Sequence, residues 1–151
     1  MFGKKLKEYV RFERWILILI VAAFVIRLAL SLSGTPNTST RWVSINIVLL
    51  VGLIYCAVAV HTTGFGSYKQ LFGLLLLQLL LAHLLIASAI ALGIVTGTDN
   101  IYTAPEYFGY RDGKNWGHVV AHLVGWFVLA LIYWLIGSIF LFLTKRLKPV
   151  A

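Results

Sequence analysis

The sequence predicts an all-α integral membrane protein, built as an antiparallel four-helix bundle. Three observations carry this reading. Hydrophobic residues make up 60% of the 151 residues and charged residues only 12%, against roughly 45–50% and about 25% in ordinary soluble domains. Four long apolar runs, 15–32, 42–60, 71–95 and 119–143, dominate the chain, and about 20 apolar residues cross a hydrocarbon core ~30 Å thick. Strict alternation of apolar and polar residues, the mark of a transmembrane β-barrel, is absent. A soluble enzyme, a disordered tail and a disulfide scaffold are excluded together. The single cysteine, Cys56, can form neither an internal disulfide nor a thiolate metal site.

Taken in order, the first transmembrane helix is expected over 14–33, its apolar run broken only by Arg27. Ahead of it, Phe2, Leu6, Tyr9 and Val10 fall at helical spacing among basic residues. This segment either lies in the interface as an amphipathic helix or simply extends helix one. Arg27, and the lack of a small-residue cleavage site after the run, argue against a cleaved signal peptide. A polar turn, SGTPNTSTR, leads to the second helix over 42–62. The third, over 70–96, and the fourth, over 118–144, are long enough to tilt. Gly117, Ala121 and Gly125 open the fourth at a spacing that lets membrane helices approach closely. The chain forms one transmembrane domain.

Residues 97–117 differ from the other loops. They hold Asp99, Glu106 and Asp112 together with Tyr102, Tyr107, Phe108, Tyr110 and Trp116. Disordered linkers are poor in aromatics, and ordered loops of this length are usually functional. The segment is therefore expected to fold back as a lid over one end of the bundle. The plainer alternative is an aromatic belt at headgroup level.

The net charge of +8 is explained by its placement. Lys4, Lys5, Lys7, Arg11, Arg14, Lys69, Lys145, Arg146 and Lys148 fall on the side of the termini; Arg41, Arg111 and Lys114 fall on the other. Cytoplasmic loops carry the excess of Lys and Arg, so both termini are expected in the cytoplasm with the lid outside. Basic residues on a folded soluble face would be needed for nucleic acid, and there are none.

Polar groups inside a membrane are costly and mark candidate sites. A rise of about 1.5 Å per residue places Arg27 about 9 Å, and Asn46 and His122 each about 6 Å, below the outer boundary. His118 sits one turn above His122. Three helices thus contribute polar side chains to one outer layer beneath an acidic lid. Arg27 suits an anionic or carbonyl-bearing partner: a lid carboxylate, a lipid phosphate or a quinone. His118 and His122, at i and i+4, could bind zinc or copper with Asp99 or Glu106 completing the shell, although a nearby arginine disfavours a metal. A structural network, with Arg27 paired to Asp99 or Glu106, explains the same residues.

His83, Tyr55 and Tyr133 lie deeper, about 20 Å from the outer boundary by the same count. His83 could carry a haem or a chlorophyll-type pigment as single ligand. A bis-histidine haem is disfavoured because His83 and His122 differ in depth by about 14 Å. Gln78 sits about 140° around the third helix from His83, so the two face different neighbours. One of those neighbours is expected to be a helix outside this chain.

No nucleophile elbow, phosphate-binding glycine loop or CxxC is present, and whether the chain is an enzyme is left open. The size and helix count are shared with b-type cytochromes and four-helix oxidoreductase subunits, but no stretch carries their motifs. The sequence therefore favours an accessory or structural subunit of a larger membrane complex, with an outer polar site for a lipid or quinone headgroup (Arg27, Asn46, His83, His122). Its expected partners are the bilayer and other membrane subunits or further copies of itself. The alternative is a small redox or metal-binding membrane protein. A transporter or channel built by oligomerisation is a third, weaker reading.

Overall fold

The computed structural model describes residues 2–104 and 113–148. They form four helices: α1 (Leu6–Leu32), α2 (Ile45–Thr62), α3 (Tyr68–Thr96) and α4 (Trp116–Leu147). Each is long and apolar enough to cross a membrane, and the chain is an integral membrane protein with an antiparallel helical bundle. One end, the terminal end, carries the start of α1, the end of α4 and the turn between α2 and α3; the opposite, distal end carries the α1–α2 loop and the described parts of the α3–α4 loop.

Helix α1 begins at Leu6, eight residues before its expected start at 14. The charged residues in this stretch do not stop a helix; only their side chains must reach water. Glu8 closes the N-terminus by accepting from the Lys5 backbone N–H at 2.6 Å, a carboxylate on the first-turn amides. The basic segment is thus an extension of helix one, with one break: Glu13 has non-helical dihedrals (φ −106°, ψ 16°). Its buried stripe runs Tyr9, Glu13, Ile16, Ile20, Phe24 and Arg27, a three-and-four spacing that keeps one face inward.

Helix α2 is capped by Ser44, whose side chain accepts from the Asn46 N–H at 3.2 Å. Helix α3 is closed at its start by Ser67 and Gln70, with Gln70 Oε1 accepting the Ser67 N–H at 2.9 Å, and ends at Gly97, whose φ of 72° favours glycine. Helix α4 starts on Asn115, whose side chain accepts from the His118 N–H at 2.8 Å.

Among the described residues α3 touches all three other helices, α2 does the same, and α1 and α4 do not approach each other. The bundle is therefore a flattened rhombus with α2 and α3 across its short diagonal. Half of the α3 span is buried within the chain but only 17% of the α4 span, so α4 leaves most of its apolar surface uncovered by the other helices. Close approach of α2 and α4 to α3 uses small residues, as membrane helix contacts do. Gly137 of α4 leaves room for Leu71, whose Cδ2 lies 3.3 Å from where a Cβ would stand.

Candidate functional site

The α3–α4 connection sets the geometry of the distal end. After Gly97 the chain turns back along α3 instead of leaving the bundle. Asn100 is buried, and its Nδ2 donates to the carbonyl of Ala89 at 2.9 Å. Its Oδ1 accepts from the Tyr102 N–H at 2.9 Å. This Asx turn carries Tyr102 inward, where its ring stacks on Phe24 of α1 at 5.5 Å. Gly93 makes room for the returning loop: a Cβ there would stand 3.0 Å from the Thr98 carbonyl oxygen and 3.1 Å from Asn100 Nδ2. Burial of Asn100 and these bonds meet the condition under which non-helical backbone is tolerated at membrane depth.

The lid expected over 97–117 is thus, in its described part, a re-entrant loop. Burial pushes the Tyr102 hydroxyl up to about 12, against an opposing pull from the Arg27 charge. It stays protonated throughout the physiological range.

This loop corrects the expected depths. Ala89 lies about 10 Å short of the end of α3 along the helix axis, and α4 starts only after the chain has returned to that level. Val119 accordingly packs with Ala87 and Ile90. The ends of α3 and α4 are therefore not coplanar, and the 14 Å separation expected for His83 and His122 vanishes. Their rings are 4.8 Å apart.

The histidines form a chain. His118 Nδ1 lies 2.9 Å from the carbonyl oxygen of Gly113, so it carries a proton and donates. His118 Nε2 is then an acceptor, and His122 Nε2–H donates to it at 3.2 Å. That leaves His122 Nδ1 as an acceptor. His83 Nδ1–H donates to it at 3.1 Å and to the His122 carbonyl oxygen at 3.2 Å. One set of neutral tautomers satisfies all these contacts. It leaves the lone pair of His83 Nε2 as the acceptor at the inner end of the chain. With these tautomers the donors all point one way, so a proton taken up at His83 Nε2 can be relayed through His122 to His118 and the distal loop.

Arg27 is 8% exposed. Its guanidinium donates to the backbone carbonyls of Thr40, Val43 and Asn37, and among the described residues it meets no carboxylate. The expected partner Asp99 instead pairs with Lys114 at 2.9 Å, and Glu106 lies outside the described residues. Arg27 therefore holds the α1–α2 loop in place and contributes a positive charge that this loop does not neutralise.

A cleft of about 470 Å³ joins these groups. Arg27, Asn46, His83 and His122 all line it, with His118 and Tyr102. Asn46 stands in the first turn of α2 at the exposed rim. The sequence pattern did not single out Tyr102 or Arg41 as cleft residues. The N-x-x-T spacing of Asn100 and Thr103, an Asx-turn pattern, was the signal for the first.

Other expectations fare differently. His83, Tyr55 and Tyr133 do not form one layer: Tyr55 faces Phe12 at 6.3 Å, and Tyr133 packs among the apolar core residues. Gln78 and His83 do face different neighbours, but both lie in this chain: Gln78 meets Glu13 of α1 and Cys56 of α2, and His83 meets α4. The support this gave to a partner subunit falls away. His83 and His122 are in direct contact, which leaves no space for an iron between them. Among the described residues no group of three or more His, Cys, Asp or Glu side chains converges on a metal position; His122 presents its two nitrogens to different neighbours.

Glu13 escaped the sequence reading altogether. It is 1% exposed, and its Oε2 accepts from Gln78 Nε2 at 2.7 Å. It stands between the charged Arg11 and Arg14, but its spacing from Tyr9, Ile16 and Ile20 puts it on the buried stripe of α1.

The chain matches no family model, no curated protein and no solved structure.

Proposed function

We propose that this protein is an accessory subunit of a larger membrane complex that receives a polar headgroup, of a quinone or an anionic lipid, in the distal cleft. The observation that carries this is the union of Arg27 with the histidine chain around one opening of about 470 Å³. Ligand sites are typically clefts of ~300–1,000 Å³ with apolar walls and a few convergent polar groups. The shared chemistry of the two headgroups is an oxygen acceptor beside a cation. A quinone would also use the histidine chain as its proton route, whereas a phosphate would use the charge of Arg27 and Arg41. Helix α4, the least covered within the chain, is the face by which a complex would hold the subunit.

The test is mass spectrometry of molecules that co-purify in mild detergent. Quinone or anionic lipid should accompany the native protein and be lost in Arg27→Gln combined with His83→Leu. Equal amounts in both proteins would overturn the reading. Elemental analysis of the same samples addresses the second reading, zinc or copper between His118 and His122. Their Nε2 atoms are 3.2 Å apart, close to the separation of two nitrogens on one tetrahedral zinc. Stoichiometric metal that disappears in His118→Phe/His122→Phe would establish it.

The charge bias supports a cytoplasmic location for both termini. In a Cys56→Ala background, Ser39→Cys should react with an impermeant maleimide added outside, and Thr63→Cys should react only after the membrane is opened. The reverse pattern would invert the topology.

A further inference from the structure

A second polar cluster lies in the terminal half of the bundle, and none of its residues lines the distal cleft. Glu13 of α1, Cys56 of α2 and Gln78 of α3 meet there, with 1%, 0% and 0% exposure. Glu13 Oε2 accepts from Gln78 Nε2 at 2.7 Å, and the Cys56 thiol lies 3.9 Å away. Two oxygens of this cluster, Glu13 Oε1 and Gln78 Oε1, have no hydrogen-bond partner among the described residues. Room for the amide is made by Gly52, where a Cβ would stand 2.4 Å from Gln78 Oε1.

The charge balance decides what this cluster is. Helix α1 packs only on α2 and α3 among the described residues. From α2 the titratable neighbour is Cys56, and from α3 the neighbour is the neutral Gln78. On α1 itself Tyr9 lies one turn away, while Arg11 and Arg14 are exposed and Arg14 stacks on Trp15 at 4.9 Å. Among the described residues no cation reaches the carboxyl. An isolated carboxylate in a low-dielectric interior costs so much that the group takes up a neutralising partner. Two side-chain oxygens are too few for a divalent cation, which takes six or more. A proton suffices: it turns one carboxyl oxygen into a donor in a cluster whose amide oxygen lacks one.

We propose that Glu13, held by Gln78 and Cys56, is a membrane-embedded proton-binding site loaded from the terminal face. That face is the nearer one: Glu13 is about 10 Å from the start of α1 and about 28 Å from its end along the axis. The kink at Glu13 marks the same point in the backbone.

Infrared spectroscopy of the full chain in liposomes tests this. The chain has two other glutamates, Glu8 and Glu106, so Glu8→Gln/Glu106→Gln with carboxyl-13C glutamate isolates Glu13 without altering it. The isotope-shifted C=O band of a protonated acid should be present at pH 7 and fade at high pH. It should move to lower frequency within minutes in D2O. Gln78→Leu should move it to higher frequency, because a hydrogen bond to the carbonyl is lost, and Glu13→Gln should abolish it. Absence of the band at pH 7 overturns the proposal, as does loss of the band when sodium chloride replaces choline chloride. A band unaffected by D2O overturns it as well, since a sealed acid loads nothing. Insensitivity to Gln78→Leu overturns the assignment to this cluster.

Discussion

The two polar regions of this bundle place their groups in opposite ways. At the distal end, Arg27 and three histidines are satisfied largely by backbone carbonyls and by one another, with only Arg27 Nε left over among the described residues, and they border an open cleft. In the terminal half, Glu13, Gln78 and Cys56 are fewer, more deeply buried and incompletely bonded. The difference lies in what the backbone offers. Irregular segments at the distal end, the α1–α2 loop and the re-entrant α3–α4 loop, expose carbonyls that can accept. The middle of three packed helices offers almost none, because each carbonyl already serves its own ladder. Side chains there must bond one another or remain short of partners.

The largest effect expected from this contrast is at Arg27. Arg27→Leu strips donors from three backbone carbonyls, and hydrogen bonds to a charged group contribute roughly 1.5–3 kcal/mol each. A loss of about 3 kcal/mol or more should appear as a much lower melting temperature in detergent. A near-native Arg27→Leu would erase the idea that the distal end depends on these bonds.

Next comes Gly52→Val, which drives a side chain into Gln78 Oε1 and Ile16 Cγ2, 2.4 and 2.8 Å from the added Cβ. Overpacking costs typically 1–3 kcal/mol. The same assay should show an intermediate loss, and Gly52→Val/Gln78→Ala should recover part of it. Without any recovery, the strain lies elsewhere than at the amide.

Asn100→Ala should cost about 1–2 kcal/mol by releasing the loop from Ala89. It should also speed hydrogen exchange over 98–104 while leaving the exchange of α1 near Glu13 unchanged. Faster exchange at both ends would mean that the two regions are coupled.

The smallest effect belongs to the Asp99–Lys114 pair, whose carboxylate side chain is 67% exposed. Asp99→Asn should change stability by less than about 1 kcal/mol. A larger change would make this surface pair a clasp of the loop.

The fold was legible because apolar runs of membrane length have few alternatives. The helix starts were less so: a run of lysines and arginines hides the fact that α1 continues through Glu8 and Glu13 to Leu6. The residues lining the cleft stood out as intramembrane polar groups, but their mutual distance did not. Counting rises from a common boundary assumes that helices end in one plane, and Asn100 breaks that assumption by tying the loop back to Ala89. Glu13 was hidden for a different reason. Its neighbours in sequence are charged, and only the spacing from Tyr9 to Ile20 tells that it points inward.

The Glu13–Gln78 contact spans 65 positions in sequence, and this has a consequence for how the protein is made. Chains are synthesised at about 5–20 residues per second, so Gln78 leaves the ribosome some seconds, roughly 3–13, after Glu13. During that interval α1 enters the membrane with an acid that has not yet met its amide. The contact itself therefore forms only when the third helix arrives, and until then the neutralising partner of Glu13 is a proton rather than the amide.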